Sequence, residues 1–317
     1  MLDLLEPPIE WLIRLCGWSS IIGIVAIFLF IFKEAAPMVL KLDWLHFFTS
    51  SRWIPNPAPG NPPSFGALAL LVGTVTTTSI ALLIAVPVGL GAAVYISEFA
   101  KGKVKETLKI VIELLAAIPS IVWGFIGLMV LGPIIKDVFT TESGSWWGKV
   151  MVTLHLASAE TGASQGTNLL TGGIILALMS VPLVVSLSED TLRAVPDSYR
   201  EAALALGANS WETVRRVLFP AARNGLLAAC MLGMGRAIGE TMAVLLATGH
   251  NNRIPEALTD PVRTMTATIA AEMGEAVHGD EHYRVLFILG IVLFIVTCGI
   301  NVASDLIVKG IKKANPA

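Results

Sequence analysis

Six stretches of this chain are nearly free of charge and close to the length of a membrane crossing, which restricts the fold before anything else does. They occupy residues 15–32, 66–97, 110–135, 169–188, 225–248 and 285–304. A hydrocarbon layer about 30 Å thick takes about 20 residues of helix to cross. Lipid offers no hydrogen bonds, so the backbone must satisfy itself, and a run of this length does so as a helix. The expected fold class is all-α, a polytopic membrane protein with six transmembrane helices. Composition agrees: 54% of the 317 residues are hydrophobic and 15% charged, against about 25% charged in soluble domains, and the mean hydropathy is +0.72. The second run carries no charge in 32 residues and can tilt or extend past the interface. Pro87, Pro119 and Pro182 fall inside runs and are read as kinks, because neighbouring helices can re-satisfy the freed carbonyls. Cys16, Cys230 and Cys298 each lie in an apolar run and behave as small hydrophobes, neither a disulfide framework nor a metal set.

The distribution of Lys and Arg sets an expected orientation. Lys101, Lys103, Lys105 and Lys109 fill the loop after the second run, and Arg193, Arg200, Arg215, Arg216 and Arg223 the loop after the fourth. With Arg14 and the C-terminal Lys309, Lys312 and Lys313, thirteen positive residues fall on one side and eight on the other. Both loops and both termini are therefore expected in the cytoplasm. Asp3, Glu6 and Glu10 precede the first run, where a secretory signal would be basic, so that run is read as a retained anchor. The external segments, 33–65, 136–168 and 249–284, are shorter than a typical domain of about 100 residues. Residues 1–65 read as an N-terminal anchor helix and proline-rich external connector, and 66–317 as a membrane core with a cytoplasmic loop at about 189–224. Pro55, Pro57, Pro59, Pro62 and Pro63 predict an extended connector with little regular structure. Net charge is -2, so no strongly basic or acidic surface points to nucleic acid.

The loop at 189–224 reads as two short helices. Asp197 or Ser198 can cap the first, alanine and leucine propagate it, and Gly207 supplies the left-handed residue that closes it. Asn209 and Glu212 have capping-box spacing for the second. A short exposed helix between two spans can enter a groove on a soluble partner and pass that partner's motion to the spans. An interfacial hairpin with solvated arginines is the plainer alternative.

The fifth run contains Gly233-Met234-Gly235-Arg236-Ala237-Ile238-Gly239-Glu240-Thr241. Ionisable groups at a helix centre cost about 2.5–3.5 kcal/mol each to insert, so they face protein or water. Arg236 and Glu240 are four apart and are expected on one helix face, able to pair. Gly235 and Gly239 have the spacing that lets another helix approach closely. A structural ion pair is one reading. The other is a translocation site, in which a guanidinium replaces the hydration of an oxyanion and Glu240 positions Arg236 or weakens anion binding enough for release. Arg236, Glu240 and Thr241 are the candidate pathway residues.

Other signals carry less. Glu272, Glu275, His278, Asp280, Glu281 and His282 recur at near-helical spacing, but contact with a soluble partner is the preferred reading over a metal site. Thr74, Thr76, Thr77 and Thr78 are expected to bond to their own helix as readily as to line a polar path. No Gly-x-x-x-x-Gly-Lys-Ser/Thr loop occurs, so ATP hydrolysis is expected in a separate subunit.

Glu201-Ala202-Ala203, then three residues, Gly207, nine residues, and Val217-Leu218-Phe219-Pro220 resembles the EAA signature of binding-protein-dependent import permeases. Val217 and Phe219 keep the apolar character of that signature's ending. The string Gly-Arg-Ala-Ile-Gly-Glu-Thr-Met-Ala-Val at 235–244 is similar to the fifth-span motif of phosphate-specific permeases, as are the Pro87 and Gly89 region, Ala117-Ile118-Pro119-Ser120 and the segment from Ala271-Glu272 to His282-Tyr283. The resemblance implies the type I ABC importer permease fold in a bacterial cytoplasmic membrane. It further implies Glu201, Ala202, Ala203 and Gly207 as an ATPase-coupling helix. A PstA-like partner permease, two PstB-like ATPase subunits and a PstS-like phosphate-binding protein would complete the system, with no cofactor and no catalytic residue in this chain. Sulfate or molybdate as substrate, an independent secondary transporter, and a membrane protein reporting phosphate supply remain the alternatives.

Overall fold

The structure is a computed structural model and describes residues 6–139, 153, 155 and 166–314. Helix α1 covers Glu6–Val39, α2 Trp44–Thr49 and α3 Leu68–Val94, the last running on through a π turn at Tyr95–Phe99. Helix α4 covers Gly102–Ala117. Helix α5, Ser120–Ile126, continues through a π turn at Gly127–Leu131 into α6, Gly132–Phe139. Helix α7 spans Leu169–Arg193, α8 Asp197–Ala205 and α9 Ser210–Thr213, which passes through a third π turn, Val214–Leu218, into α10, Phe219–Ile238. Helices α11 (Met242–Ala247), α12 (Met265–Glu272) and α13 (Glu281–Ala314) complete the order. Six helices among the described residues are long and apolar enough to cross a membrane: Glu10–Val39, Leu68–Phe99, Ser120–Phe139, Leu169–Arg193, Ser210–Ile238 and Glu281–Ala303.

Two of these crossings differ from the runs read in the sequence. The run at 110–135 breaks at Ile118 and Pro119, both with extended ψ values of 125° and 143°. Proline clashes with a helical conformation at the residue before it, so Pro119 ends one helix and begins the next rather than kinking a continuous one. The membrane-length segment starts at Ser120, and the lysine-rich α4 stands apart as a separate helix with no buried residue. The run at 225–248 also divides. Its membrane-length helix begins earlier, at Ser210, and stops at Ile238. Pro87 and Pro182 do lie inside α3 and α7.

Helix α7 is the axis of the molecule: 67% of its most apolar stretch is buried inside the protein, against none for α1. Small residues let its neighbours come close enough for dense dispersion contact. A Cβ added at Gly89 of α3 would lie 2.7 Å from Val184 Cγ1, and one at Gly233 of α10 2.8 Å from Val184 Cγ2. Val184 is thus clasped between two glycine faces. Contacts of Gly172 with Thr77 and of Gly173 with Ile80 place α3 parallel to α7, while Gly225 against Thr191 runs α10 antiparallel.

The start of α7 is stitched to the chain beyond α11. Asn168 is fully buried and caps the helix by accepting from the Thr171 N–H at 2.9 Å. Its own N–H donates to the Ala247 carbonyl, and those of Leu169 and Leu170 to Asp260 and Leu258. The other end of α7 leads through 194–196 into α8. The 249–264 segment and α8 therefore cap opposite ends of the bundle.

The proline-rich connector is more ordered than its composition suggests. Trp53–Ile54 (β1) pairs antiparallel with Ser64–Phe65 (β2), because the prolines sit between these residues rather than in them. Asp43 caps α2 by accepting from the N–H groups of Leu45 and His46. Phe47, Trp53 and Phe65 are buried against Leu286 and Leu289 of α13. Helix α1 reaches the core through its final turns, Ala35 and Met38, and rests on α13 through the ring pairs Phe28–Phe294 and Phe30–Phe287, with centroids 4.6 and 5.7 Å apart.

Candidate coupling element and translocation site

Helix α8 projects from the end of α7 as a short, mostly exposed rod. Pro196 precedes it without a side-chain cap, and Asp197 is its first helical residue, so neither Asp197 nor Ser198 caps it. The Asp197 carboxylate instead accepts from Arg200 Nη1 at 3.1 Å. Gly207 adopts φ +84° with open space around it, the left-handed conformation that closes a helix at little cost only for glycine. Asn209 and Glu212 form both bonds of the capping box, at 2.9 and 3.0 Å. Glu201, Ala202 and Gly207 are exposed, and Ala203 alone of the four turns inward. Leu204, Leu206 and Trp211 are 56%, 90% and 58% exposed, an apolar strip on a polar loop. Behind the rod lies a cleft of about 530 Å³ between α7 and α10, lined by Thr191, Tyr199, Arg223 and Asn224.

Arg236 and Glu240 do not share a helix face. Helix α10 ends at Ile238, and Gly239, Glu240 and Thr241 form a break before α11. The i,i+4 geometry that would bring the two side chains together requires a continuous helix. Neither forms an ion pair among the described residues. Arg236 is exposed in this chain, and Glu240 is half-buried and accepts from the Thr241 N–H at 3.2 Å. The Glu240 carbonyl accepts from Thr266 Oγ1 at 2.7 Å, which ties the break to the first turn of α12. Thr241 Oγ1 donates to the Gly239 carbonyl at 3.3 Å. Among the described residues no other helix approaches Gly235 or Gly239; the close approach is at Gly233, two residues before Gly235. The threonines of α3 all donate to carbonyls of their own helix, each with one such bond at 2.7 Å. Thr74 also accepts from the Met265 N–H at 3.0 Å, fastening α12 to α3.

A buried polar cluster stands at the end opposite α8. The Glu272 carboxylate accepts from Arg263 Nη2 at 2.5 Å and from Trp53 Nε1 at 2.8 Å, and lies 2.8 Å from His282 Nε2. Asn252 accepts from Arg263 Nη1 at 2.9 Å and donates to the Trp53 carbonyl at 3.0 Å. Glu272 and His282 are thus occupied with each other and with Arg263, and no group of three His, Cys, Asp or Glu suited to a metal occurs among the described residues. His250, at φ +54°, has both ring nitrogens buried without a partner. Burial, then the Arg263 charge, pushes its pKa down to about 4, with Glu272 acting in the opposite direction. Burial likewise lowers the Arg263 pKa, and Glu272 offsets it. Sequence reasoning had no access to the Trp53–Glu272 contact, since the two residues are 219 positions apart.

Residues 85–313 match the family described as binding-protein-dependent transport system inner membrane component. The chain belongs to this family. As a binding-protein-dependent inner membrane component it is a multi-pass permease subunit, not an enzyme. It is 39% identical over 277 residues to the phosphate transport system permease protein PstC of Mesorhizobium japonicum, covering 87% of this chain and 81% of that protein. Identity to the phosphate transport system permease protein PstC 1 of Mycobacterium tuberculosis is 35%, over 97% of this chain and 94% of that protein. The probable ABC transporter permease protein YqgH of Bacillus subtilis is 35% identical over 90% of this chain and 85% of its own. Among solved structures, the inward-facing MetNI methionine ABC transporter aligns with a TM-score of 0.54 at 18% identity, covering 77% of this chain and 96% of that one. The fold is that of a type I ABC importer permease.

Proposed function

We propose that this chain is the permease subunit of an ATP-driven phosphate importer, forming half of the translocation pathway beside a PstA-like partner. One of two PstB-like ATPases would dock on α8 and the other on the partner permease, and a PstS-like protein would deliver phosphate at the opposite end. The likeness to proteins named as phosphate permeases over nearly the whole chain supports the substrate class. The basic loops support a bacterial cytoplasmic membrane with both termini and α8 inside. Residues 1–65 act as anchor and connector, and 66–317 as the permease core.

The observation that carries the pathway reading is the break at 239–241. Arg236 stands at the end of α10, exposed in this chain and without an ion-pair partner among the described residues. A guanidinium left open beside a helix break can take an oxyanion through directed donors. Glu240, held to α12 through its carbonyl, sets the geometry of the break and limits how tightly an anion is kept.

Labelled phosphate uptake at low external concentration tests this in cells lacking the chain, with and without its restoration. Restored uptake that excess sulfate does not suppress is expected. Sulfate suppression, or no restoration, would overturn the phosphate assignment. Arg236→Glu should cut uptake about a hundredfold or more with the complex still assembled, and undiminished uptake would remove Arg236 from the pathway.

A further inference from the structure

Arg200 stands immediately before Glu201, and its side chain turns inward to a junction of three helices. Its Nε and Nη2 donate to the two Glu98 carboxylate oxygens at 3.2 and 2.9 Å. The same guanidinium reaches the last turn of α7 and the segment beyond it, donating to the carbonyls of Leu192 and Val195 at 2.8 Å each. The Leu192 carbonyl lies in the last turn of α7, where acceptors lose their helical partners, and also accepts from the Val195 N–H at 3.4 Å. Glu98 belongs to the π turn that ends α3, and Ser97 Oγ donates to it at 2.8 Å. The two charged side chains are only 19% and 12% exposed, so water competes weakly for the pair.

This geometry differs from an ordinary surface ion pair. A bidentate guanidinium–carboxylate contact fixes direction as well as distance. Helix α8 is joined to α7 by the chain itself, through residues 194–196. Helix α3 is about a hundred residues away in sequence, and the Arg200–Glu98 contact bridges that distance. Glycine contacts already pack α3 closely against α7; the bidentate pair adds a directional link between α8 and the end of α3, resisting displacement in the plane of the two groups.

We infer that Arg200 and Glu98 form the strut that delivers motion of the α8 coupling helix to α3, so that α3 and α7 move together when the ATPases close. The inference rests on the proposed docking of the ATPases on α8. Arg200 is a positioning residue: it faces α3 and α7, while the exposed side of α8 is left for the partner. A plain structural staple predicts something different, namely less assembled complex and unchanged output per complex.

The test uses the whole importer, purified with its partner permease and ATPases and reconstituted in liposomes with the binding protein. Glu98→Gln, Arg200→Met and the double variant are each read for co-purified ATPase, ATP hydrolysis and phosphate taken up per ATP hydrolysed. The expected result is retained ATPase with uptake per ATP reduced about tenfold in each single variant, and a double variant no worse than Arg200→Met, because the Glu98 contact is already lost there. Uptake per ATP at the wild-type level, losses that add in the double variant, or uptake falling only in step with co-purified ATPase would each overturn the strut. Failure of the wild-type chain to retain the ATPase or to move phosphate would instead overturn the proposed function, so the two failures read differently.

Discussion

Glu272 accepts from an arginine and an indole, sits against a histidine, and ties the 263–282 stretch to Trp53, 219 positions away. Breaking a buried charge pair from one side costs about 3–5 kcal/mol, so this carboxylate is as much a fastener as any apolar contact nearby. His250 beside it makes the end of the bundle pH-sensitive. Its pKa in the folded protein, about 4, lies below the ordinary histidine value of about 6.5, so the unfolded chain binds the proton more readily. Stability contributed by the neutral ring is complete above about pH 6.5, declines as pH falls towards 4, and changes no further below that. His250→Asn, which tolerates the left-handed backbone, should narrow the gap between the thermal midpoints at pH 7 and pH 5 in detergent. An unchanged gap would show that another group carries the pH dependence. None of this was legible beforehand. The acidic and histidine spacing at 272–282 suggested a surface for a partner, because sequence spacing says nothing about Trp53 arriving from 219 positions away.

At the scale of the element, legibility depended on whether the interactions were local. The turn after α8 was readable because Gly207, Asn209 and Glu212 satisfy groups within a few residues of themselves. The breaks at Pro119 and Gly239 were not placed, because hydropathy measures apolar character and does not register where helical hydrogen bonding stops. Arg236 and Glu240 were singled out as costly charges, but their face-sharing depended on a helix that ends between them. The apolar strip of α8 yields its own prediction. Leu206 is 90% exposed, and burying a leucine in a partner's groove is worth about 1.5–3 kcal/mol. Leu206→Asp should therefore weaken ATPase association about tenfold or more, measured by co-purification, while leaving the thermal stability of the subunit itself unchanged. Equal retention of the ATPase would place the docking contact elsewhere on the loop.

The whole molecule is a set of helices arranged around one of them, with its two ends held differently. At one end, α7 is pinned by backbone bonds to 247–260 and by Asn168. At the other, it meets α8 and the ion pair of Lys109 with the buried Glu189, 2.8 Å long. Six crossings and an all-α architecture were legible from apolar length alone, since a bilayer admits few alternatives. Which helix lies at the centre was not, because α1, α3 and α7 have similar hydropathy and differ in what surrounds them. The clasp of Val184 by Gly89 and Gly233 bears on how the protein is made. The ribosome delivers α3 first, α7 about a hundred residues later and α10 last of the three, so Val184 enters the bilayer with one side of its seat still missing. Chains ending at residue 218 and released into the membrane should leave a cysteine placed at 184 open to a lipid-soluble thiol reagent, and full-length chains should protect it. Equally low labelling at both lengths would mean that α3 alone shields that side chain, and equally high labelling that α10 does not cover it. The core therefore closes late in synthesis, when the chain segment bearing Arg236 leaves the translocon.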